Sequence, residues 1–404
     1  MPLPIRFTIL LAATALLAGC GQEAPGSPSQ AIQFGAVLSL TGSQSADGRS
    51  TREGYLFCQR WLNSQGGIAV AGVRHPLELR ILDDAGRLSR SVALTYQLLE
   101  GDHVRLMLGP SSDPATLRDA LVAQDHGVPM VQSAGVSQSL FDRHLHGVFG
   151  VLSPADQQMR GVIDMAIAHS DRAKTVAILH ANDSLSSEVA DRTRDYATAR
   201  GLSTVALVPY PTEVNDLRGT LETAAAMQPD LILEVGHPDE AALTMRTARE
   251  MNLRPRLFGF SADPSSEGLL ASLHQTAEGI VAETQWAPNA RTRPGPFLNS
   301  HDYAAQFTSQ FGHPPNARSA AATAACFALT AAIQRAGSTN PAAVRSALAN
   351  LRLDTFFGPI QFDGRGANVA KPNPVVQVQD GKPAVVWPAE VATVFPRYPW
   401  SGWR

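Results

Sequence analysis

Residues 175–210 read TVAILHANDSLSSEVADRTRDYATARGLSTVALVPY. A short β-branched run at 175–180 gives way to an amphipathic stretch at 188–200, and a second β-branched run follows at 204–210. Such runs are strands, and a stretch with apolar residues every three or four positions is a helix with one buried face. Strand, helix, strand in immediate succession is a βα unit, and repeated βα units build parallel sheet. The alternation continues on both sides. Downstream it predicts strands at 231–235 and 257–260 and helices at 216–227 and 240–251, with a further helix at 156–170 just upstream. Before a break at 147–153 it predicts strands at 32–40, 77–83, 104–108 and 129–132, separated by helices at 49–64, 89–101 and 115–126. The expectation is an α/β chain with two doubly wound parallel-sheet units.

The remainder does not make a third unit. Residues 297–311, 318–336 and 341–351 are three successive helical patterns without a strand between them, so they must pack on a sheet already present, returning the chain to the first unit. Residues 359–387 revert to period-two runs, Ile360-Gln361-Phe362, Val375-Val376-Gln377-Val378 and Ala384-Val385-Val386, with turns expected at Asp363-Gly364 and Asp380-Gly381.

Composition bounds the function. The chain has 404 residues, 17% charged and 44% hydrophobic, with a formal net charge of −3. That is enough for two or three compact units, and no basic cluster supplies the footprint of a nucleic-acid binder. Three cysteines, Cys20, Cys58 and Cys326, exclude a disulfide scaffold or a cysteine-based zinc module. Cys58 and Cys326 lie on apolar helix faces, where buried free thiols are the default; a disulfide between them is the alternative. Residues 1–19 carry Arg6, then an apolar run at 7–17 too short to span a bilayer, and read as an export signal. Leu17-Ala18-Gly19-Cys20 resembles a bacterial lipobox, which implies lipidation of Cys20 and a periplasmic or cell-surface address; residues 20–30, rich in Gly, Pro, Ser and Gln, read as a flexible tether.

In open α/β sheets ligands sit beyond the carboxyl ends of the strands. Here those loops are 41–48, 109–113 and 133–137 in the first unit, and 181–186, 236–238 and 261–264 in the second; all are short and polar, suited to wrapping a small solute. Asp113 precedes Pro114, so its plain reading is a helix N-cap. No dinucleotide fingerprint, P-loop or metal-ligand spacing is present; Gly259-Phe260-Ser261-Ala262-Asp263 lacks the second glycine of a hydrolase nucleophile elbow, and His144 and His146 read as a solvated loop. No cofactor is expected.

Several segments stand in the order of one family. Gly35-Ala36-Val37-Leu38-Ser39-Leu40-Thr41-Gly42 with Gly48, Leu62-Asn63-Ser64-Gln65-Gly66-Gly67-Ile68, Leu82-Asp83-Asp84 and Gly109-Pro110-Ser111-Ser112 come first. Gly127-Val128-Pro129, Asn215-Asp216, Pro229-Asp230-Leu231-Ile232 and Phe357-Gly358-Pro359-Ile360-Gln361-Phe362-Asp363-Gly364 follow. The chain thus resembles the type I periplasmic binding proteins of the leucine/isoleucine/valine-binding family, the substrate receptors of ABC importers. The resemblance implies two lobes, 31–149 plus 285–356 and 150–284 plus 357–404, joined by three crossover strands near 149–151, 281–285 and 356–358. It implies closure on a ligand by hinge motion, no catalysis, and two partners, a small solute and an inner-membrane permease; the alternative is a ligand-sensing lipoprotein that signals to a membrane partner.

The resemblance also places the contacts. Asp113 falls where the family has a serine that holds a ligand carboxylate, with Ser111 and Ser112 just before it. Ala134 and Val136 match a carbonyl and a threonine hydroxyl that bind an amino group. His237 matches an aromatic cover, Ser261 an acidic residue that pairs an ammonium, and Asp47 a frequent aromatic. Val136 cannot donate or accept through its side chain, and Ser261 carries no charge. The expected ligand is therefore a small polar solute, neutral or cationic, rather than an ordinary branched-chain amino acid.

Overall fold

The computed structural model describes Met1 and residues 30–170, 172–264 and 269–403; Cys20 and the export segment lie outside the described residues. Two large sheets carry the fold. The first runs Leu77–Asp83, Ile32–Leu38, Met107–Leu108, Met130–Gln132, Val148–Gly150, all parallel. The second runs Lys382–Trp387, Val375–Gln379, Val281–Glu283, Leu257–Phe260, Leu231–Val235, Thr175–Ala181, Ser203–Tyr210. Its last five are parallel, and the late hairpin is added antiparallel at the edge. Helices cover both faces of each sheet, as buried parallel strands require.

The three late helices, Ser300–Phe311, Ala317–Ala336 and Pro341–Ala349, pack on the first sheet, as the absence of strands between them predicts. Helix Ala317–Ala336 is buried on nearly every side and is rich in alanine, which lets it approach helix Ser45–Ser64 closely. At the crossing a Cβ on Gly54 would stand 2.2 Å from the Ser319 carbonyl oxygen, so only glycine fits. Beside it a disulfide joins Cys58 to Cys326, with Cα atoms 6.3 Å apart. Free thiols were the default expectation; the helix contact that aligns the two cysteines links positions 268 apart, which periodicity cannot register.

Local expectations hold unevenly. Asp380 and Gly381 both take positive φ, 53° and 74°, and close the two-residue hairpin expected between Val375–Gln379 and Lys382–Trp387. The turn expected at Asp363-Gly364 is present as well: the Gly366 amide donates to the Asp363 carbonyl at 3.0 Å, Asp363 Oδ1 accepts from the amides of Arg365 and Ala367, and Phe362 and Asn368 bridge antiparallel on either side. Strand Arg352–Thr355 pairs with Gly358–Gln361 around Phe356-Phe357. The strand expected at 104–108 keeps ladder pairing only at Met107–Leu108. Helices begin earlier than apolar periodicity suggests, at Ser45, Asp113, Ser184 and Pro238, because first turns are polar.

The chain passes between the sheets three times: after Val148–Gly150, after Val281–Glu283, and after the Gly358–Gln361 strand, whose Ile360 lies in the first core. A buried polar network laces these passages. Gln285 exchanges hydrogen bonds with the Ser153 backbone at 3.1 and 3.2 Å, and the Ser153 hydroxyl donates to the Lys371 carbonyl at 3.0 Å. Lys371 Nζ donates to Gln285 Oε1 and Asn373 Oδ1 and stands 4.7 Å from the Phe357 ring centroid. Glu283 accepts from the amides of Met159 and Gly161, each at 2.6 Å, holding Met159 in the left-handed conformation that starts helix Arg160–His169. Burial pushes the Glu283 carboxyl up and the Lys371 ammonium down.

Candidate functional site

Strand order reverses direction at two places: between Ile32–Leu38 and Met107–Leu108 in the first sheet, and between Thr175–Ala181 and Leu231–Val235 in the second. At such switch points the loops on either side part and leave a crevice. Asp47 and Ser111 stand at the first, Asp183 and His237 at the second.

On the first lobe, Arg318 gathers the predicted residues. Its Nε lies 3.0 Å from Asp47 Oδ1, and its Nη1 donates to the Ser111 carbonyl at 3.1 Å. Ser111 is buried, its hydroxyl 3.4 Å from the Ser39 amide. Arg318 escaped the sequence reading because it stands 207 residues from Ser111 and falls in a helical pattern that accounts for it without a site.

Asp113 is not the N-cap. Ser112 occupies that position, and Asp113 is the first helical residue, its Oδ1 accepting from the amides of Val136 at 2.7 Å and Ser137 at 2.9 Å. The carboxylate thus braces the neighbouring loop: those amides need an acceptor, and helix Asp113–Asp125 points one at them. Ala134 and Gly135 amides are held by Gln132 Oε1, so this loop is shaped by two side chains from beneath. Val136 is buried, and its carbonyl accepts from Ala155 on the far side of the first passage.

On the second lobe, His237 is exposed and reaches Asp183 Oδ2 at 3.2 Å. Asp183 caps helix Ser184–Ala199; burial raises its pKa, but the Ser186 amide and hydroxyl, with His237, outweigh that and hold it below the usual range. The Ser261 hydroxyl is engaged with the amide and carbonyl of Gly236 at 3.0 and 3.2 Å, tying two strand-end loops together. Beneath them Glu234 is fully buried, receives the Tyr210 hydroxyl, and is pushed up to about 8 by burial.

Between the lobes lies a cavity of about 210 Å³. Ala317, at the start of the long first-lobe helix, faces Met159, Ser261, Asp263, Glu283 and Asn373 across it. Of the predicted contacts only Ser261 lines this cavity; Asp47 and Ser111 gather around Arg318, next in sequence to Ala317. Asp263 accepts the Thr284 hydroxyl. The reading that found no acid at position 261 overlooked that the loop turns Asp263 into the same space. Among the described residues no group of three or more His, Cys, Asp or Glu is arranged to hold a metal.

The family described as periplasmic binding protein matches residues 31–383. The chain is 22% identical over 385 residues to the Leu/Ile/Val-binding protein homolog 8 of Brucella abortus, covering 91% of this chain and 93% of that one. In structure it is similar to the branched-chain amino acid transporter substrate binding protein of Streptococcus pneumoniae in complex with isoleucine (TM-score 0.73, 18% identity, 90% of this chain and 99% of that one). It is also similar to an ABC transporter solute binding protein from R. palustris in complex with benzoate (TM-score 0.69, 16% identity, 92% and 99%). With two parallel-sheet lobes, three passages between them and a match over most of its length, the chain belongs to the type I periplasmic binding protein family of Leu/Ile/Val-binding-like proteins, which bind solutes without catalysis.

Proposed function

We propose that this protein is the extracytoplasmic receptor of an ABC importer, held at the membrane by lipid on Cys20, and that it captures a small polar solute bearing an amine or amide between its lobes. The observation that carries the ligand class is the acidic lining of the cavity between the lobes: Asp263 and Glu283 face it with Ser261 and Asn373, and among the described residues no basic side chain lines it. An amine or amide can donate to these oxygens, whereas a free carboxylate meets like charge. The ligands of the two similar structures, isoleucine and benzoate, support a small solute and a site of variable chemistry, since they share little beyond a carboxylate. Of the contacts expected from the resemblance, Ser261 lines this cavity itself, and Asp47 and Ser111 stand beside it around Arg318.

Mass spectrometry of the solute that co-purifies, followed by calorimetry with that solute and with leucine, isoleucine and valine, tests it. A co-purifying amine or amide that binds more tightly than all three is the expected result. Submicromolar binding of any of the three overturns the ligand class while leaving the receptor role intact.

A further inference from the structure

A cavity of about 1050 Å³ lies elsewhere than between the lobes. It lies on the other side of the passages. Thr284, Gln285 and Asn373 line the cavity between the lobes, while their chain neighbours Trp286, Pro372 and Pro374 line this one, so the passages themselves are the wall between the two. No residue lines both.

We propose that this hinge-face cavity is a second binding site, for a small amphiphilic anion. Its floor is apolar and rigid: Trp286, Phe356, Phe357 and Ile360 are each at most 3% exposed, and the indole N–H of Trp286 is already donated to the Phe356 carbonyl at 3.2 Å. Its rim carries Arg291, Arg293 and Arg352. Among the described residues none of these guanidiniums has a hydrogen-bond or ion-pair partner, and the two acids that share the lining, Asp354 and Glu390, pair with none of them. Elsewhere an arginine beside a carboxylate closes on it, as Arg397 does on Asp380 and Glu278 and Arg365 on Asp363. Three cations facing two anions leave a positive excess, and each guanidinium keeps a fork of donors that matches a carboxylate, sulfonate or phosphate. Prolines 294, 359, 372, 374 and 388 stiffen the walls, so little order is lost on binding. The volume suits a ligand of drug size.

The test uses the mature full-length protein and two fluorescent probes of one aromatic body: 1-anilinonaphthalene-8-sulfonate, an anion, and the neutral N-phenyl-1-naphthylamine. The sulfonate should bind one site per chain with energy transfer from tryptophan that Trp286→Phe reduces. Its affinity should fall about tenfold or more as salt is raised and in the triple variant Arg291→Ala, Arg293→Ala, Arg352→Ala, and recover in the triple lysine variant; the neutral probe should bind about tenfold more weakly. Equal affinity for the two probes, transfer left unchanged by Trp286→Phe, or a triple alanine variant that melts like the wild type and binds the sulfonate equally overturns the proposal. Should the alanine variant melt early, the lysine variant and the salt titration of the wild type decide: loss of binding at high salt supports the site, and salt-independent binding overturns it.

Discussion

Gln138 and Glu188 stand on different lobes and meet: the Gln138 amide donates to Glu188 Oε1 at 2.9 Å. Leu185, one helical turn before Glu188, packs against the cores of both lobes. Burial raises the Glu188 carboxyl; the Gln138 amide and Arg192 oppose that, and the charges of Asp113 and Asp142 reinforce it. A half-buried acid under that strain is held by its contact across the gap. Glu188→Ala should shift the ligand-free protein toward separated lobes, read as a larger radius of gyration in solution scattering. An unchanged profile would show that Leu185 packing alone holds the lobes together.

Asp113 is expected to act through stability. Asp113→Ala leaves the amides of Val136 and Ser137 without their acceptor and should cost about 1.5–3 kcal/mol in urea denaturation. Asp113→Asn, which keeps an oxygen in place, should cost less. A variant as stable as the wild type would mean that the loop is shaped without the carboxylate.

Glu234 makes stability depend on pH. Its carboxyl stands at about 8 in the folded chain against 4.5 for an unperturbed group, so between these values the native state holds a proton that the unfolded state has released. Stability then falls as pH rises from about 4.5 to about 8, by up to ~1.4 kcal/mol per pH unit from this group alone. Glu234→Gln still accepts the Tyr210 hydroxyl and should flatten that decline, read from denaturation midpoints at pH 5 and pH 8. An identical decline in wild type and variant would place the titrating group elsewhere.

The Cys58–Cys326 disulfide closes a loop of 268 residues. Removing it as Cys58→Ser with Cys326→Ser should cost about 2–5 kcal/mol, seen as a lower melting temperature. Alkylation of the denatured, unreduced protein should leave both cysteines unlabelled; labelling at both positions would refute the bond.

The strands and most helices were legible because period-two and period-3.6 patterns are local, and the Asp380-Gly381 turn because its two positive φ angles suit these residue types. The strand ends were legible for the same reason, since Asp83 ends its run and Asp230 precedes one where their carboxylates tie down neighbouring backbone. Partnerships across the sequence were not. Arg318 with Asp47, Cys58 with Cys326, and Lys371 with Gln285 each join distant segments, and no periodicity carries them. Asp113 shows the limit within a single loop: residue type and the following proline argue for a cap, and only the approach of residues 136–137 turns the carboxylate aside.

The dependence of the first sheet on helix Ala317–Ala336 has a consequence for the order of events in biogenesis. The strands of that sheet lie within the first 150 residues, yet on one of its faces helix Ser45–Ser64 is joined by three helices that come only from Ser300 onward. The parallel strands of the second sheet, by contrast, find the helices of one core between Ala155 and Ala197, close by in the chain. A polypeptide delivered amino end first therefore completes short-range pairings in its middle before it can finish its beginning, and such distant closures are the slow ones. The lobe encoded first stays open until residues 300–349 arrive, the hairpin at 375–387 then completes the second sheet, and a solute can be trapped only after almost the whole chain has arrived.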